Sequence, residues 1–290
     1  MRSKSSRVNV RITAIAVAVI ASMALAACGS SSDGSDEAGG ESGPQRLAFE
    51  LSKAGQLSGP AKADAGLSEL SLDNQDNLEA NLQLIRVEGK HSVDEVLDGA
   101  KKAREVKPVP SWFFVAGGVG EVAPRKSAEV EQVLAPGNYV AVNTEGEALP
   151  QKKATASFEV TGKATADEQL SAPDGKVTAS EYTFKTTGLH AGPGRIVFEN
   201  AGKQPHNLIV SEILKGNDVK DVERYFKKEE RLAPLSSEIH RVAAAIEGGE
   251  SQVIPLDLKP GNYVFMCFVS DRQGGAQHAL KGQLEEVQLK

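Results

Sequence analysis

The chain is poor in cysteine, in positive charge and in long apolar stretches. Two cysteines, Cys28 and Cys267, stand in 290 residues, so no disulfide framework holds this protein together. Lys and Arg number 33 against 39 Asp and Glu, a formal net charge of −6. That balance excludes a strongly basic nucleic-acid binder, which needs a Lys/Arg-rich face. Hydrophobic residues make up 40% of the chain, too few for a multi-span membrane protein. No G-x-S-x-G, P-loop, C-x-x-C or H-x-H pattern occurs, which removes the commonest sequence signatures of catalysis.

The N-terminus is of a different kind from the rest. Arg2, Lys4, Arg7 and Arg11 form a basic head, followed by an apolar run of 16 residues from Ile12 to Ala27. The run is short for a spanning helix and ends in Leu25-Ala26-Ala27-Cys28. Small residues before a cysteine resemble a bacterial lipobox. The resemblance implies a signal peptide over residues 1–27, a lipidated Cys28 and an anchor at the extracytoplasmic face of the cell membrane. Cleavage there removes four basic residues and no acidic one, taking the formal charge from −6 to −10. Residues 28–44 are rich in Gly, Ser and acids, cannot bury a core and read as a flexible linker.

An internal repeat organises the chain from residue 45 onward. Leu70-Ser71-Leu72-Asp73-Asn74 matches Ile196-Val197-Phe198-Glu199-Asn200 at an offset of 126. Ala80-Asn81-Leu82 meets His206-Asn207-Leu208 at the same offset. Later the offset slips to 124, where Pro136-Gly137-Asn138-Tyr139-Val140 meets Pro260-Gly261-Asn262-Tyr263-Val264. A duplication explains the constant spacing, and predicts domains over 45–160 and 176–290 with a linker over 161–175. Alternating runs such as Arg195-Ile196-Val197-Phe198, bounded by Gly, Pro and Asn, read as strands. One helical stretch interrupts each domain; in the second it spans Val219 to Glu230, with Asn217 or Asp218 as N-cap. Leu235 to Gly248 reads as a further helix. The expected fold is all-β: two tandem Greek-key sandwiches, each with a short helical insertion.

Of five histidines, two occupy informative places. His206 opens a strand in N-A-G-K-Q-P-H-N-L-I-V, and His278 lies eleven residues after Cys267. Two imidazoles and one thiolate are the equatorial donors of a mononuclear copper site for electron transfer, completed by a weak axial ligand. The same Cys/His₂ set also suits zinc. His91, His190 and His240 read as surface residues, and Trp112, Phe113 and Phe114 as packing.

The second domain resembles the plastocyanin/azurin family, the cupredoxins. N-A-G-x-x-P-H-N before a strand is similar to the family's first histidine motif, and P-G-x-Y-x-F-x-C followed by a loop and a histidine to its ligand loop. The resemblance implies that His206, Cys267 and His278 hold one copper ion equatorially. It implies that Gln283, where the family usually has methionine, is the axial donor. Ten residues separate Cys267 from His278, more than in compact members of the family. The first domain has Ala80 and Asn143 at the positions of His206 and Cys267, and no histidine near the third, so it should bind no copper. Without H-x-H pairs there is no His-rich second copper site, and no enzymatic activity is expected. The expected function is one-electron transfer to a redox protein partner, without nucleic acid. The alternatives are copper handling without electron transfer, or a metal-free interaction module.

Overall fold

The computed structural model describes residues 43–146, 151–163, 169–228 and 233–290. The leader, Cys28 and the spacer through residue 42 lie outside the described residues. The first half supplies strands β1 (Gln45–Leu51), β2 (Leu57–Ser58), β3 (Lys62–Asp64), β4 (Gly66–Asn74) and β5 (Ala80–Val87). Helix α1 (Val93–Arg104) comes next, then β6 (Phe113–Val122), β7 (Ser127–Leu134), β8 (Gly137–Val142) and β9 (Thr155–Thr161). The second half supplies β10 (Gly175–Ser180), β11 (Thr183–Thr187), β12 (Gly192–Asn200), β13 (His206–Ile213), α2 (Val219–Phe226), β14 (Leu235–Ile246), β15 (Ser251–Leu258), β16 (Gly261–Met266) and β17 (Leu284–Leu289).

Local chemistry accounts for these elements. Strand β4 alternates buried and half-buried residues, with Leu70 and Leu72 inward. Strand β13 is buried on both faces and reads as a nearly continuous apolar run after His206 and Asn207. Each helix starts with a capping box: Ser92 with Glu95 in α1, and Asp218 with Asp221 in α2. Helix α2 ends at Phe226, and Lys228 just beyond it takes a left-handed φ of 61°. Leu235 to Ile246, expected as helix, is strand β14. Ala243-Ala244-Ala245 favours helix locally, but this segment pairs with β13 on one side and β6 on the other. Those ladders outweigh a weak propensity.

The strands make two sheets. One runs β11-β10-β12-β15-β7-β4-β1-β2, the other β17-β16-β13-β14-β6-β5-β8-β9-β3. Each sheet passes through both halves of the sequence, joined by β15 against β7 in the first and β14 against β6 in the second. A single apolar cluster draws on both sheets and both halves, from Phe49, Leu70 and Leu82 to Phe198, Val210 and Phe265. Residues from Ser42 to Lys290 form one compact unit.

Three buried glutamines stitch the halves together. Gln83 receives the Ala245 N–H at 2.9 Å and donates to the Ala245 carbonyl at 2.9 Å. Gln252 donates to the Gly118 carbonyl at 2.9 Å, and Gln132 accepts the Gly118 N–H at 3.0 Å. Gly118 has φ 123° where β6 crosses β5, and a Cβ there would sit 1.9 Å from the Leu82 carbonyl oxygen. Only glycine permits that approach. Replacing Gln83 with leucine leaves the buried Ala245 N–H and carbonyl without their side-chain partner. We expect Gln83→Leu to cost about 2–4 kcal/mol, measured by urea unfolding, with both halves still lost in one transition.

Candidate metal centre

The site begins with strand periodicity. On β16, Tyr263 and Phe265 point into the core between the sheets, and Cys267, just past the strand end, continues that side. Neighbouring β13 runs antiparallel to β16 and carries His206 at its first position. The turn that delivers His206 is laced by Asn200. Its Nδ2 donates to the Gln204 carbonyl at 2.8 Å and the Ile246 carbonyl at 3.0 Å, and its Oδ1 accepts the Gly202 N–H at 2.9 Å. Asn74 plays the same part in the first half, donating to the Leu78 and Val122 carbonyls. This explains why Asn recurs in both copies.

The long segment from Cys267 to His278 folds back on itself. The His278 N–H donates to the Val269 carbonyl at 2.9 Å, and the Ala279 N–H to the Cys267 carbonyl at 2.8 Å. The loop also leans on the first half. Arg272 donates to Glu247 at 2.6 Å and to the Pro110 and Ser111 carbonyls, and its guanidinium lies 4.4 Å from the centre of the Phe114 ring. Arg86 lies over the same ring at 4.8 Å. Phe114 is therefore a packing residue, as its sequence position suggests.

The result is a triangle of donor atoms. Cys267 Sγ lies 3.6 Å from His206 Nδ1 and 3.5 Å from His278 Nδ1, and the two nitrogens are 3.1 Å apart. All three residues are fully buried. The point equidistant from the three atoms is about 2 Å from each, a first-row metal's bond length to imidazole or thiolate. Among the described residues this is the cluster of histidine, cysteine and acid able to hold an ion. In the first half, buried Ala80 takes the place of His206, and Asn143 accepts backbone N–H groups from Asn81 and Glu145 instead of offering a thiol. His240 and His91 lie against the Glu121 and Glu95 carboxylates outside the site, and His190 lies against the Ala191 carbonyl.

Gln283 is also fully buried. Its Nε2 faces two carbonyls, Ser180 at 3.3 Å and Thr183 at 3.2 Å, which fixes the orientation of the amide. Its Oε1 is buried with no hydrogen-bond partner, and so is His206 Nε2. The Gln283 side chain lies close enough to His206 to interact with it, and an amide oxygen is a donor type that serves as a weak axial ligand.

No protein-family model matches the chain, and no curated protein matches its sequence. Solved structures do align. Auracyanin A, a "blue" copper protein from Chloroflexus aurantiacus, aligns over 41% of this chain and 100% of its own at 14% identity and a TM-score of 0.32. A dithionite-reduced auracyanin from Roseiflexus castenholzii aligns over 40% and 94% at 18% identity and 0.25. The Cu-containing nitrite reductase of Thermus scotoductus aligns over 84% and 61% at 15% identity and 0.23. The chain is similar to cupredoxins.

Electrostatics complete the description of the site. Burial pushes the Cys267 thiol up to about 12, and burial, followed by the neighbouring His278, brings His206 down to about 4. His278 is also lowered, by burial first. The three donors are thus a neutral thiol and two neutral imidazoles. His278 Nε2 meets Asp271 Oδ1 at 3.0 Å, which leaves Nδ1 as the free lone pair facing the triangle. Burial alone would raise the Asp271 carboxyl, but hydrogen bonds from Lys281, Tyr182 and His278 hold it below its ordinary value. Asp271, Tyr182 and Lys281 carry no motif and escape a sequence reading; a carboxylate inside the Cys-to-His loop is the only trace they leave.

Taking up a cation requires Cys267 to release its proton. Because that proton is held to about pH 12, apparent affinity rises with pH across the whole neutral range. We expect about a tenfold gain per pH unit between about pH 6 and about pH 9, with one proton released per ion, read by calorimetry in buffers of different ionisation enthalpy. His206 is already neutral there and adds no proton until about pH 4.

Proposed function

We propose that this protein is a lipid-anchored, extracytoplasmic copper protein that passes single electrons. Its tandem halves are read as Greek-key sandwiches of cupredoxin type, of which only the second holds copper. The observation that carries this reading is the buried triangle of His206, Cys267 and His278. These residues would hold copper equatorially, with Gln283 Oε1 as axial donor. Bound copper supplies a one-electron couple, and thiolate favours it over harder ions.

The protein's own part is to keep that couple dry and rigid. Strands fix His206 and Cys267, while Asp271 holds the His278 ring in one tautomer and one orientation. Four fully buried donors also bear on the choice between electron transfer and copper handling. A protein that hands its ion on needs an exposed ligand edge for the receiver to attack. An electron needs only a thin covering, and Leu280, two residues after His278, is 43% exposed at the surface. The acidic chain would meet a basic or membrane-bound partner through steered, weak encounters.

A copper-loaded sample should show a reversible one-electron wave in protein-film voltammetry and no net loss of metal to a chelator over the same cycles. Rapid copper loss without a reversible wave would favour copper handling instead. An amide oxygen is a harder donor than a thioether and favours Cu(II). Gln283→Met should therefore raise the reduction potential; an unchanged or lower potential would remove Gln283 from the coordination sphere. The full chain should partition with membranes in a bacterial host, and Cys28→Ala should release it to the soluble fraction.

A further inference from the structure

A cavity of about 290 Å³ lies beside the centre, on the opposite face of the sheet that carries it, between helix α1 and the Cys-to-His loop. It is built from both halves. Ala100 and Ala103 of α1, with Phe113, Val115 and Val142, give it apolar walls. Chain neighbours of the donors also line it, beside several charged residues: Asn207 follows His206, Phe268 follows Cys267 and Gln277 precedes His278.

The repeat supplies an internal control for this wall. In the first half Asn81 Oδ1 accepts the Thr144 N–H at 2.7 Å, and Asn81 Nδ2 donates to the Thr144 hydroxyl at 2.8 Å. In the second half Asn207 Oδ1 accepts the Phe268 N–H at 3.1 Å in the same way. Phe268 has no hydroxyl, so Asn207 Nδ2 has no hydrogen-bond partner among the described residues. Asn207 is 2% exposed and lines the cavity. That amide N–H opens onto the cavity with no protein acceptor, so a ligand there can supply one.

Charge decides what that ligand is. Arg241 is paired with Glu145 at 2.9 Å and Arg272 with Glu247 at 2.6 Å. Asp271 is committed to His278, Tyr182 and Lys281. The lining charges balance at three of each sign, with Arg104 donating to the Gly146 carbonyl at 3.0 Å, so the wall carries no net charge. The apolar walls suit a flat ring, and the free amide asks for an accepting oxygen. We propose that this cavity binds an uncharged aromatic molecule of one or two rings bearing a carbonyl oxygen, the chemistry of a quinone head group.

The test uses metal-free protein, so its outcome does not depend on the copper reading. Duroquinone is titrated by saturation-transfer NMR, beside durene, the same methylated ring without oxygens. The expected result is saturable duroquinone binding, with durene weaker by about tenfold. Ala103→Phe, which fills the cavity from the helix side, should abolish binding. Asn207→Asp, which keeps the acceptor for the Phe268 N–H and removes the donor, should weaken it by about tenfold. No duroquinone binding, equal binding of durene, or full binding by Ala103→Phe would overturn the proposal.

Discussion

A thiol and two imidazoles share a space about 3.5 Å across from which water is excluded. The chemistry of the protein follows from that constraint. Desolvation strips the three groups of charge, holding the thiol proton on to about pH 12 and keeping His206 neutral down to about pH 4. Like partial charges then face one another with no hydrogen to share, apart from the thiol proton. An ion that takes the place of that proton relieves the repulsion and satisfies three lone pairs at once. A dry site also keeps ligand geometry the same in two oxidation states, because there is no solvent to rearrange.

Holding the triangle is the work of the whole fold. Two donors sit on or beside adjacent strands whose register is set by pairing along Ile209–Met266 and Val210–Phe265. The third arrives on a loop too long to be rigid by itself. Backbone bonds back to Cys267 and Val269 close it from within, and Arg272 anchors it to the first half from without. The first half thus has a structural part in the candidate site. It lends Phe114, Pro110 and Ser111 to the loop, and it extends both sheets beneath it.

The donors are legible in the sequence because each sits in a short pattern with a local cause. Asn200 and Pro205 shape the turn before His206, and the P-G-N-Y run carries the chain from one sheet to the other and opens strand β16, which ends just before Cys267. The strand alternation of β4 and β12 and the caps of both helices are legible for the same reason. Strand β14 is not, since its alanines favour helix until β13 and β6 flank it. The sharing of sheets between halves rests on pairs more than a hundred residues apart, such as Val253 with Glu131, which no local pattern encodes. Asp271, Tyr182 and Lys281 come together only through the folded loop and β10–β11 turn, so the carboxylate that orients His278 emerges from the structure alone.

The central claim is that Cys267 thiolate binds copper within this triangle. The most direct measurement is a Cu(II) titration of the protein followed by visible absorption, with Cys267→Ser as the control. An intense thiolate-to-copper charge-transfer band, saturating at one equivalent and absent in Cys267→Ser, is the predicted result. A colourless wild-type protein, or a band that survives in Cys267→Ser, would contradict it.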